Sequence, residues 1–155
     1  NIHGIPLAVA TGLENKFSFT NIKLPYKSIM YIGIRSIDDF ENQIIKDNNI
    51  QYLTVENIMK SPKESIEKIQ DFIKDSNVHM SFDVDCMDPS IMTTTGTPVE
   101  NGLFMEDIEK LINPIKKHII FTECHEFNIK DKFIYDNKTI TKSIDSLNSV
   151  FKLIF

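Results

Sequence analysis

Short apolar, β-prone runs alternate with stretches of helical periodicity along this chain, and no other feature narrows the fold as much. Residues 28–34, 50–55, 78–84 and 119–127 read as strands. Residues 4–10 read as a short helix with Gly12 just past its end. Residues 37–48 place Ile37, Phe40, Ile44 and Ile45 at helical spacing. Ser61-Pro62-Lys63-Glu64 predicts a helix start, with Ser61 as cap, Pro62 at the first position and Glu64 closing a capping box. Residues 105–112 form another helix, and Ile140, Ile144, Leu147 and Phe151 define the inward stripe of a last one. Residues 85–101 read as turns. Such alternation implies βαβ units, so the expected fold is α/β, with a mostly parallel sheet between two helical layers. Ligands then bind beyond the carboxyl ends of the strands.

Composition removes several classes of function. A length of 155 residues suits one domain, or part of a larger one. The net charge is −5, and Arg35 is the single arginine among 17 basic residues, so no nucleic-acid surface is expected. No apolar run approaches the ~20 residues of a membrane span, and no signal-like segment opens the sequence. Cys86 and Cys124 are too few for a disulfide framework. The expectation is a cytoplasmic protein with no membrane partner.

Acidic residues mark two strand ends. In Ser81-Phe82-Asp83-Val84-Asp85, carboxylates two apart on a strand should project the same way and repel unless a cation sits between them. Hard divalent ions accept such oxygens, and manganese also accepts histidine. The plainer alternative is an acidic turn capping the next segment, and Asp88-Pro89 continues as turn chemistry. Thr122-Glu123-Cys124-His125-Glu126 ends the next strand, so Glu126 would lie near Asp83 and Asp85 if the strands are neighbours. His125 alone reads as strand packing, because Ile129 stands where a zinc-protease HExxH would need its second histidine. Gly96-Thr97-Pro98 is a shaped loop that could present groups to a substrate.

Together these pieces resemble a known family. SFDVD-x-x-DP followed by TGTPV and NGL, from Ser81 to Leu103, is similar to the signature of the arginase branch of the ureohydrolases. Asn1-Ile2-His3-Gly4-Ile5-Pro6 resembles the family's GN-x-HG-x-P segment. Tyr31-Ile32-Gly33-Ile34-Arg35 with Asp38 and Glu41 resembles YIGLRDVDxxE, and His125-Glu126-Phe127-Asn128 resembles the MEVNP strand end.

The resemblance implies roles. Asp83 would bridge two Mn²⁺ ions and Asp85 would ligate one of them. Metals about 3.5–4 Å apart can turn bound water into hydroxide near neutral pH, which suits attack on a guanidinium carbon. Glu126 would face the substrate guanidinium, and His3 would shuttle protons. Asn1 and Asp38 would recognise the amino-acid end, with Glu41 and Thr97 nearby. The implied reaction is L-arginine plus water to L-ornithine and urea, carried out by a homotrimer. Agmatinase chemistry and a non-catalytic arginase-like paralogue are the alternatives.

Departures also matter. Ser36 replaces a usual acidic residue, Cys86 a glycine and Ile129 a proline. The family's upstream histidine and DxHxD ligands have no counterpart, so the chain resembles the C-terminal half of the fold and should bind manganese weakly by itself.

Overall fold

A computed structural model of the chain describes residues 5–14, 16, 21–129 and 136–155. Asn1 and His3 lie outside the described residues. The chain divides into two units, Asn1–Tyr31 with Ile37–Tyr52, and Ile32–Ser36 with Leu53–Phe155. Helix α1 (Ile5–Thr11) ends as expected at Gly12, whose φ of 79° suits a residue without a Cβ. Strands β1 (Met30–Ile34) and β2 (Gln51–Thr54) pair, with α2 (Asp39–Asp47) between them in sequence. In the first unit the buried apolar side chains are Ile29, Ile45 and Ile50.

The second unit holds α3 (Val55–Lys60), α4 (Pro62–Ile73), β3 (Val78–Asp83), α5 (Met105–Ile112), β4 (Ile119–His125) and α6 (Asn137–Ile154). Its core gathers Ile58, Ile69, Val84, Met87, Met92 and Val150, each almost wholly buried. Removing such a side chain from water contributes about 1.5–3 kcal/mol. Strands β3 and β4 are parallel, with Met80 opposite Thr122 and Asp83 opposite His125. The fold is α/β. Among the described residues, the strands form two separate two-stranded sheets rather than one continuous sheet. Ile120 and Phe121 of β4 stay largely exposed.

Two local expectations change. Ser61 makes no side-chain cap, because it already ends α3: its amide donates to the Asn57 carbonyl at 2.9 Å, with φ −139° and ψ 69°. The capping box forms earlier, between Thr54 and Asn57, and starts the unexpected helix α3. On α6 the buried positions are Ser143, Val150 and Ile154, whereas Ile144 is exposed. Small hydroxyl residues turn inward there because the turns before α5 need partners. Ser143 Oγ accepts from the Thr93 amide at 3.3 Å, and Ser146 Oγ donates to the Ile91 carbonyl at 2.9 Å. No described helix is long and apolar enough to cross a membrane.

Candidate functional site

The parallel ladder of β3 with β4 sets the geometry. It ends at the Asp83–His125 pair, so the segments carrying Asp85 and Glu126 leave the sheet side by side. Asp85 itself is not on the strand. It lies in the single 3₁₀ turn Val84–Cys86, and Asp83 Oδ1 accepts the Asp85 amide at 2.8 Å. That bond curls the chain immediately after the ladder, so strand alternation does not explain why the two acids are near each other.

The loop after the turn folds back over the site. Thr97 Oγ1 donates to Asp85 Oδ2 at 2.8 Å. The Gly96 Cα points toward Glu126, since a Cβ there would sit 3.8 Å from Glu126 Oε2. An antiparallel bridge joins Thr95 to Phe127, and the Asn128 amide donates to the Thr94 carbonyl at 2.8 Å. Glu126 holds φ at 61°, in the left-handed region that glycine favours. Asp88 ties the far end of the loop, accepting from the Ser90 amide at 2.9 Å and the Gly102 amide at 3.1 Å. These bonds hold its carboxyl below the usual range, the Ser90 contacts contributing most. It acts as the expected turn residue.

Asp85 is the electrostatic centre. Burial pushes its carboxyl above the ordinary range, and the charges of Asp83 and Glu126 push the same way. The Thr97 hydrogen bond and the Arg35 charge oppose this shift without cancelling it. Its Oδ1 is buried, and no donor among the described residues reaches it. A buried carboxylate oxygen without a donor, beside two further acids, suits a hard cation such as Mn²⁺. Asp83 and Asp85 are the residues that would hold it. Among the described residues no group of three or more His, Cys, Asp or Glu side chains is placed to hold a metal ion.

Arg35 had no place in the sequence reading of the site. Its Nη1 donates to the Cys86 carbonyl at 3.0 Å, and its Nη2 donates to the Asp85 carbonyl and to the Val99 carbonyl at 3.1 Å. Its position directly after an apolar strand, at the end of the Tyr31–Arg35 motif, is the signal that could have found it. His125 does not pack into the core. It is exposed, and its Nε2 lies 3.3 Å from Glu123 Oε1, as does Nε2 of His79. Asp38 caps α2 by accepting the Glu41 amide at 2.8 Å, and the nearby Glu41 charge adds to the burial that raises the Tyr31 phenol. Both acids belong to the first unit and are described there only.

The Cys86 thiol is half-buried and its ionisation is disfavoured. Burial first, then the Asp83 charge, pushes it up to about 12, so it stays protonated at neutral pH. Iodoacetamide at pH 8, followed by peptide mass spectrometry, should leave Cys86 unlabelled until denaturant is added. Labelling in the native chain would show the thiol to be open.

Residues 1–144 match the Arginase family. The chain is 38% identical to the arginase of Entamoeba histolytica over 154 residues, covering 95% of this chain and 52% of that protein. It is 32% identical to the arginase of Staphylococcus aureus strain MRSA252 over 158 residues, covering 97% and 52%. The crystal structure of the Entamoeba histolytica arginase in complex with L-ornithine superimposes with a TM-score of 0.81 at 35% identity, over 97% of this chain and 52% of that one. The chain therefore spans about half the length of the curated relatives it matches.

Proposed function

Because the chain belongs to the arginase family, we propose that it carries the Asp83–Asp85 part of a binuclear manganese centre that hydrolyses L-arginine to L-ornithine and urea. The observation that carries the reading is the buried Oδ1 of Asp85, which no donor among the described residues reaches, beside the charges of Asp83 and Glu126. Paired metal ions, when bound, supply Lewis-acid activation of water near neutral pH. The chain's own residues do the rest. Thr97 fixes one Asp85 oxygen by donating to it, which leaves the other to face a ligand. Glu126 offers the guanidinium a charge-assisted carboxylate partner, which orients its carbon for attack. Asn1, Asp38 and Glu41, and separately Thr97, are assigned to the amino-acid end by the family resemblance alone, and His3 is assigned to move protons near pH 7. The Asn1 and His3 roles rest on the family resemblance.

Urea release tests the proposal. The complete manganese-loaded protein should turn over arginine and leave agmatine, which lacks the α-carboxylate, almost untouched. Faster agmatine turnover would move the assignment to agmatinase. No turnover of either would favour the non-catalytic paralogue. The 155-residue chain assayed alone should bind Mn²⁺ weakly and release no urea, and appreciable turnover by it would refute the partial-site reading. A homotrimer in the cytoplasm completes the proposal, and light scattering of the complete protein reads its assembly.

A further inference from the structure

We propose that Arg35 is the positioning residue of this acidic site, stapling the Asp85–Cys86 turn to the threonine loop so that Asp85 is aimed at a cation. The proposal rests on the reading of Asp83 and Asp85 as metal ligands. Three backbone carbonyls accept from one guanidinium. Two belong to the Asp85–Cys86 turn, and the third, on Val99, lies two residues beyond Thr97. Asp85 is thereby fixed from both ends, its backbone by Arg35 and its carboxylate by Thr97.

What Arg35 does not bond is equally informative. Its recorded hydrogen bonds go to main-chain carbonyls and none to the carboxylates of Asp83 or Asp85, while its Nε is buried without an acceptor among the described residues. A cation placed to neutralise the acids would form an ion pair with one of them, as arginine readily does. This one bonds the carboxylate of neither Asp83 nor Asp85, so their side-chain oxygens are left to another cation. Its planar fork reaches divergent acceptors at once, which a lysine ammonium on a flexible stem does not reproduce.

The test compares wild type, Arg35→Lys and Arg35→Ala in the complete protein. Manganese affinity is read from free Mn²⁺ by electron paramagnetic resonance, and the melting temperature of the metal-free form is read in parallel. Loss of a residue that orients a ligand typically weakens metal binding about 10–100-fold. That loss is expected for both variants, with the metal-free melting temperature of Arg35→Lys close to wild type. A merely structural role would lower the melting temperature and leave the affinity of the folded fraction unchanged, which would overturn the proposal. Arg35→Lys binding manganese as tightly as wild type would also overturn it. Should Arg35→Ala fail to fold, Arg35→Lys decides alone, and its failure to fold as well would make Arg35 a scaffold residue and defeat the proposal. Wild type that binds no manganese would instead defeat the metal centre itself, a result distinct from wild type and variants binding alike.

Discussion

Replacing Asp85 by alanine in the complete protein is expected to cut urea release by about a thousandfold or more, the equivalent of about 4 kcal/mol of lost transition-state stabilisation. The more informative variant is Asp85→Asn. It keeps an oxygen for the Thr97 hydroxyl and removes the charge that faces Asp83 and Glu126. Without metal, that charge opposes folding, because the Asp85 carboxyl is raised in the folded chain. The penalty is absent below the unfolded carboxyl's range and complete above the raised folded value. Asp85→Asn should therefore melt above wild type in EDTA at neutral pH, and the gap should close on acidification. A lower melting temperature for the variant at neutral pH would mean that Asp85 is a structural cap rather than a ligand waiting for its ion.

Gly102→Ala should be the most damaging change outside the acidic residues. A Cβ there would fall on the Met87 carbonyl group and the Asp88 amide nitrogen, which are backbone atoms with no rotamer to change. The same crossing carries the Leu103 amide to the Cys86 carbonyl at 2.9 Å and the Asp88 amide to the Leu103 carbonyl at 3.0 Å. Forcing it apart should cost about 3 kcal/mol, which lowers the melting temperature by about 10 °C in a chain of this size. Gly96→Ala is the control, since among the described residues its Cβ would meet only Glu126 Oε2, at an ordinary contact distance of 3.8 Å. Scanning calorimetry of both variants checks the contrast. Equal melting temperatures would remove Gly102 from the argument.

Much of this arrangement is readable from the residues in order. The apolar, β-prone runs of β3 and β4 and the helical stripe of α5 are legible in the sequence, and the structure bears out their placement. Strand adjacency, once expected, puts Glu126 beside Asp83 and Asp85, and the ladder agrees. Which hydrogen bonds the side chains and turns choose, near or far in sequence, is not readable. Asp85 left the strand because Asp83 captures its amide, a choice made by one hydrogen bond. Ser61 lost its cap because α3 had already claimed it, and α3 hid because six residues carry too little periodicity. Helix α6 forms where Ile140, Ile144, Leu147 and Phe151 place it, but its buried side is shifted to Ser143, Val150 and Ile154, because the serines supply partners to backbone groups of the preceding loop. Arg35 was unreadable for a further reason, since a guanidinium that bonds main-chain carbonyls leaves no complementary acid in the sequence.

The backbone of Glu126 has an evolutionary corollary. A non-glycine residue in that conformation is burdened by about 1–2 kcal/mol, and a glycine would be released from it. Pressure for heat resistance and pressure for turnover thus pull this codon in opposite directions. A laboratory lineage scored only on surviving high temperature would drift there toward a sturdier chain that has discarded the carboxylate proposed to face the guanidinium.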